Sequence, residues 1–278
     1  SFNRRGGFPL SNTFVRIIVS IIAIPIILTV CFLGEYLFVG FTLVVGGFAY
    51  YEFVLFSQKK NVFGSLMVGF PAVFMIIMNA YFKFIDFELL AFMVVFLSLL
   101  LELYRNKESA ILNIGVTFLG VFYIGLFVSS FILIREFFTD YQRGAFVFIS
   151  MLAAIWICDS AAYFFGLKFG KHRLFLRVSP KKSWEGAIAG FIFSLFAMIA
   201  AKFLLLNFLS WQNALVIGII MGTAGQVGDL IESLFKRDAG VKDSSNTIPG
   251  HGGIFDRFDS LIFSAPLVYM YLKYFISK

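Results

Sequence analysis

Charge is what this chain has least of. Aspartate, glutamate, lysine and arginine make up 14% of its 278 residues, where a soluble domain runs near a quarter. Cysteine and histidine number two each. Cys31 and Cys158 both fall inside apolar stretches and read as buried free thiols with no redox role. His172 and His251 stand far apart and no HExxH spacing occurs, which excludes the helical zinc site built that way. The chain also lacks a GxxxxGK[ST] phosphate loop and any defensible Ser-His-Asp arrangement. Chemistry that depends on a protein nucleophile therefore has no candidate here.

What fills the space is hydrocarbon. Hydrophobic residues are 60% of the chain and 39 of them are phenylalanine; a single soluble core does not grow large enough to hide so many. Apolar runs of about 20 residues recur, the length that crosses roughly 30 Å of lipid. The expected fold class is all-α, a polytopic helical membrane protein with nine spans: 13–33, 36–56, 62–82, 87–103, 110–134, 145–168, 186–208, 212–235 and 254–276. The tight break at Gly34 and Glu35 predicts a helical hairpin from the first two. Residues 1–12 carry Arg4 and Arg5 without the layout of a cleavable signal, and read as a cytoplasmic leader or tag remnant.

Lysine and arginine orient such a bundle. With the N-terminus inside, 17 of them fall on the inner side and five on the outer, Lys202 lying within a span. The two long polar segments, 169–185 and 236–253, then both face the cytoplasm, and residues 135–278 form the expected catalytic region of an inner-membrane protein. The first five spans carry almost no internal charge, and residues 13–134 are expected to serve packing, lipid contact or assembly.

Ionisable residues inside spans are costly and generally face a polar cavity. Asp159 lies in the sixth span, Asp229 and Glu232 in the eighth, Asp256 and Asp259 at the start of the ninth. Asp159, Tyr163, Gly166 and Gly170 share one helical stripe, as do Gly218, Gly222, Gly225 and Asp229. For the glycines, close helix packing is as good an explanation as function. Asp256 and Asp259, three apart, share a face. Around these carboxylates lie basic loops, KHRLFLRVSPKKSWEG and KRDAGVKDSSNTIPGHGG. Gly250, Gly252 and Gly253 precede a helix whose first amides are expected to face an anion. Carboxylates on three helices with basic loops at one membrane face describe a Mg²⁺-dependent phosphate site.

The run Ser233, Phe235, Lys236, Arg237, then Lys242-Asp243, then IPGHGGIFDRFD from Ile248 to Asp259, resembles the signature of the phosphatidate cytidylyltransferases, the CDP-diacylglycerol synthases. Asp159-Ser160 with Tyr163 and Gly166, and Ser179-Pro180-Lys181-Lys182 to Glu185-Gly186, are similar to the second half of that family. The resemblance covers roughly 145–276 and is one of hydropathy alone before that. It implies that CTP and phosphatidic acid are joined into CDP-diacylglycerol with release of pyrophosphate and a requirement for Mg²⁺.

The roles it implies fall on residues by number. Asp229 and Asp256 are the leading metal ligands, followed by Asp159 and Asp259. Lys236, Arg237, Lys242 and Arg257 are expected on phosphates, Lys181 and Lys182 with Ser179 on the nucleotide or lipid headgroup, and His251, Gly252 and Gly253 on the triphosphate. Asp243 is expected to orient a lysine. A second metal ion and a homodimer stay open; nucleic acid is not an expected partner. The competing readings are a CTP-dependent enzyme on another lipid (a polyprenol kinase or an archaeal-type lipid cytidylyltransferase) and a transporter of a phosphorylated solute. The short outer loops count against transport, and the absence of DGxxAR against a CDP-alcohol phosphotransferase.

Overall fold

A computed structural model describes residues 12–241, 245 and 252–276, with side chains from residue 19 onward. The expected leader therefore lies outside the described residues except for Asn12, and so do Lys242, Asp243, Gly250 and His251. The described residues fold into nine helical rods: α1 (Asn12–Leu33), α2 (Glu35–Gln58), α3 (Leu66–Phe82), α4 (Phe87–Tyr104), α5 (Ala110–Arg135), α6 (Tyr141–Phe169), α7 (Trp184–Leu204), α8 (Trp211–Asp238) and α9 (Phe255–Phe275). Each coincides with one expected span to within a few residues. Six of them, α2 and α4 to α8, are long and apolar enough to cross a membrane by length and composition. Residues 19–33 of α1 and all of α3 are shorter apolar helices, and α9 carries Asp256, Arg257 and Asp259 in its first turns and Lys273 in its last.

Local chemistry sets the starts. Ser65, Ser109, Ser183 and Ser210 each accept a backbone N–H three residues on, and Asp140 accepts from Gln142 N. Such caps satisfy amides that the first turn of a helix leaves bare. Between α1 and α2 the break is one residue, Gly34, whose φ of 63° is followed by a φ of 46° at Glu35. A side chain at Gly34 would collide with the Arg135 guanidinium. Arg135 is fully buried at the end of α5: Nε donates to Cys31 O at 2.8 Å, Nη2 to Phe32 O at 3.1 Å and Nη1 to Tyr141 O at 2.9 Å. One guanidinium thus closes the last carbonyls of α1 and ties three helices together at the end opposite the long polar loops.

The helices α6 to α9 pack in sequence, each against the next, and α9 also packs on α5 and α2. On α8 the glycine stripe serves packing: Gly218 faces Leu195 and Met198, Gly222 faces Phe191 and Ser194 of α7, and Gly228 faces the α9 backbone at Asp259. Helix α5 widens into a π-helical segment at Val121–Leu126. That segment turns Tyr123 toward the bases of α8 and α9, with ring centroids 6.2 Å from Phe235 and 6.3 Å from Phe255. Helix α4 lies at the edge with most of its side chains exposed; a groove of about 480 Å³ between it and α3 is lined by residues such as Met67, Met75, Leu90 and Met93 and holds none of the carboxylates singled out above.

The segment expected as a loop over 169–185 contains an antiparallel hairpin, β1 (Arg173–Phe175) and β2 (Ser179–Ser183), directly before α7. Short strands of this kind leave no apolar run to read.

Candidate active site

The polar residues of the second half gather at one end of the bundle, where α6 and α8 finish and α7 and α9 begin. Strand β2 delivers Lys182 into it. Successive strand residues point to opposite sides, so Lys182 is half-buried and faces α8 while Lys181 is exposed. The Lys182 ammonium donates to Asp229 Oδ2 at 2.5 Å, and Ser233 Oγ donates to Asp229 Oδ1 at 3.4 Å. Asp159 of α6 and Asp259 of α9 both lie within electrostatic reach of this Lys182–Asp229 pair. Asp159 retains accessible surface although it stands ten residues before the end of α6, about 15 Å along the axis. The site is therefore open on one side of the bundle at this depth. Arg257, on the exposed side of α9, is in electrostatic reach of Asp159.

A second cluster lies beside the first. Lys236 Nζ donates to Asp256 Oδ1 at 2.6 Å and pairs with Glu232, one turn back on α8. This cluster is deeper: the side chains of Lys236 and Asp256 are 15% and 7% exposed, and that of Glu232 is fully buried. Of the two expected leading metal ligands, Asp229 thus contacts Lys182 and Asp256 contacts Lys236. Asp259 is in electrostatic reach of both Asp229 and Glu232. The shared helix face of Asp256 and Asp259 does not bring them to one partner, because Lys236 takes the outer one. Asp259 is buried beside its own Ser260 N–H.

The start of α9 also departs from expectation. Its amides do not face open space: Gly253 N donates to Asp256 Oδ2 at 3.0 Å, Ile254 N to Glu52 Oε1 at 3.1 Å and Phe255 N to Glu52 Oε2 at 2.9 Å. The anion that this helix terminus holds is the chain's own Glu52, from α2. The glycines here serve geometry. Gly252 has a φ of 80°, and a Cβ on it would come within 2.9 Å of Asp256 Oδ2. Glu52 of α2 and Tyr123 of α5 both reach this end.

Loop residues frame the site. Glu185 accepts from Lys171 N at 3.1 Å and from His172 Nδ1 at 2.6 Å, fixing the turn after α6 against the start of α7. Arg237 Nε donates to Val178 O at 3.2 Å, holding the hairpin to the end of α8. Ser179 pairs with Phe175 across the hairpin and is partly exposed. Among the described residues no three His, Cys, Asp or Glu side chains converge into a ready metal cage. Glu52, Glu232 and Tyr123 are the residues that sequence reasoning left without a part in the site.

An all-helical, multi-pass membrane protein with lysine–carboxylate pairs at one end of its last four helices is the class these features define. Within it, the chain belongs to the cytidylyltransferase family, whose model matches residues 14–275. It is 32% identical over 268 residues to a phosphatidate cytidylyltransferase of Bacillus subtilis (strain 168), covering 94% of this chain and 97% of that protein. A phosphatidate cytidylyltransferase of Thermotoga maritima is 36% identical over 175 residues, 61% of this chain and 63% of that one. One from Staphylococcus saprophyticus is 44% identical over 128 residues, 46% of this chain and 49% of that protein.

Proposed function

We propose that this protein is a phosphatidate cytidylyltransferase, joining CTP to phosphatidic acid to give CDP-diacylglycerol and pyrophosphate. The observation that carries the site assignment is the pair of lysine–aspartate contacts, Lys182–Asp229 and Lys236–Asp256, set side by side where α8 meets β2 and α9. The second lies within the signature segment, and the first joins Asp229, just ahead of that segment, to Lys182 of the stretch 179–186.

The lipid's phosphate monoester has a second pKa of about 6 and is mostly dianionic at neutral pH. Its oxygen attacks the α-phosphorus of CTP. A new P–O bond forms, the bond from the α-phosphorus to the bridging oxygen breaks, and pyrophosphate leaves with that electron pair. No protein nucleophile or general base is required, in keeping with the lack of a Ser-His-Asp arrangement in the sequence. The protein's work is to hold two anions in line and neutralise them, which dominates transfers at phosphorus. Lys182, Lys236, Arg237 and Arg257 supply positive charge, with Lys181 at the rim, and Lys242 and His251 on the adjoining segment complete the reading.

Mg²⁺ belongs to this reading too. The donor set is all carboxylate oxygen, which suits a hard cation, and Mg²⁺ bound through one or two carboxylates, water and substrate phosphates needs no preformed cage. Asp229 with Asp159 or Asp259 would hold one ion, and Asp256 is the candidate for a second. Bound there, the metal would supply neutralisation of the triphosphate and polarisation of its oxygens. The excess of lysine and arginine around this end supports a cytoplasmic site in the inner membrane, where CTP is at hand.

Purified protein given phosphatidic acid and CTP labelled at the α-phosphate is expected to make lipid-soluble label that EDTA abolishes. Label reaching lipid only from the γ-phosphate would make the protein a lipid kinase instead. Solute counterflow in liposomes with no CTP consumption would make it a transporter.

A further inference from the structure

We infer that Glu52, on the second helix, is a positioning residue for the reaction: its carboxylate sets the start of α9 and thereby the placement of Asp256 and Asp259. This inference rests on the cytidylyltransferase reading of the site.

Glu52 is fully buried, and it is the one charged residue of its helix between the end residues Glu35 and Gln58. A carboxylate in such surroundings is expensive unless it is hydrogen-bonded. Its two oxygens divide the work: Oε1 accepts from Ser245 Oγ at 2.6 Å and Ile254 N at 3.1 Å, and Oε2 accepts from Phe255 N at 2.9 Å. The α9 start has no side-chain cap of its own, because the residue before its first turn is Ile254. The chain thus provides the cap from a helix about 200 positions away in sequence, and its negative charge opposes the positive end of the α9 dipole.

Apolar contacts fix the same joint. Phe56 of α2 and Tyr123 of α5 pack on Phe255, with centroids 6.2 Å and 6.3 Å away, while Phe53 packs on Phe235 of α8 at 5.3 Å. Asp256 follows directly on Phe255, and Asp259 lies one turn further. A shift of the first turn by an ångström moves both carboxylates relative to Lys236 and Lys182. Errors of that size cost about 10²-fold in rate when reacting groups must be aligned.

The test compares Glu52→Gln and Glu52→Asp with the isosteric packing control Thr42→Val on the same helix. If charge and acceptance set the joint, Asp retains more turnover than Gln, although Asp leaves a gap and Gln does not. A role in filling volume gives the opposite order. Glu52→Gln is expected to lower kcat about 10–100-fold, in line with the alignment cost, with the KM for CTP changed less than threefold. Thr42→Val should stay near the parent. Hydrogen–deuterium exchange over residues 252–258 reads the joint without activity, and should speed up tenfold or more in Glu52→Gln. Parent-like exchange in that variant overturns the inference, as does parent-like turnover or an order of Gln above Asp. Should the parent itself transfer no label, the functional reading fails while the exchange measurement still decides the role of Glu52 at the joint.

Discussion

At the scale of single residues, the two lysine–aspartate contacts differ in depth, and depth decides what each substitution does. Lys182 and Asp229 are each about a third exposed, so their mutual attraction adds little to stability. Lys236, Asp256 and Glu232 are enclosed, and removing one member of an enclosed set strands the others at a cost of about 3–5 kcal/mol. Asp229→Asn is therefore expected to lower CMP transfer about 10²–10³-fold, the range seen when a group stabilising transition-state charge is lost, with a thermal midpoint in detergent near that of the parent. Asp256→Asn should lose activity to a similar degree and also melt earlier. Parent-like turnover in either variant removes that residue from the metal-binding set. Little of this ordering was legible beforehand. Adjacent lysines look alike in sequence, and only the pleat of β2 sends Lys182 inward and leaves Lys181 outside. Asp256 and Asp259 share a helix face by spacing, yet a lysine four positions past Glu232 captures one of them.

At the scale of elements, the helices were readable because an apolar run of about 20 residues has few other uses. The capping serines lie where the runs begin. Breaks such as Gly34 announce themselves as well. The hairpin over residues 173–183 and the α2-to-α9 joint did not, for a common reason: their partners are backbone groups, which carry no sequence signature. A lone glutamate in AYYEFVLF gives no hint that its donors are amides in another helix. Arg135 is a similar case, a basic residue counted toward orientation that turns out to be a buried clamp on the carbonyls of α1. Arg135→Met keeps an unbranched apolar stem but frees Cys31 O, Phe32 O and Tyr141 O. Each orphaned buried acceptor costs about 1–3 kcal/mol, so the variant is expected to melt well below the parent. Near-parent melting would show that water or a neighbour satisfies those carbonyls.

At the scale of the whole molecule, the proposed cytoplasmic placement of the site rests on charge asymmetry, and surface chemistry can check it. Cys31 and Cys158 are 0% and 2% exposed, so the native thiols should stay silent toward an impermeant maleimide. Cysteines placed at Lys83 and Asp140, both exposed at the other end, are expected to label in intact cells. One placed at Arg177, in the hairpin turn, should label only after the membrane is opened. The reverse pattern would turn the molecule over.

The Glu52 joint also bears on how the chain is made. Ribosomes release α2 early, and the donors described for its glutamate arrive 193 to 203 residues later. Until α9 docks, the nascent bundle carries a carboxylate that the bilayer penalises. Helix α9, with Asp256, Arg257 and Asp259 in its opening turns, is in turn a reluctant entrant without that carboxylate to receive it. Each end of the polypeptide makes the other acceptable to the membrane, so a prematurely terminated chain exposes its own incompleteness to the cell's quality control.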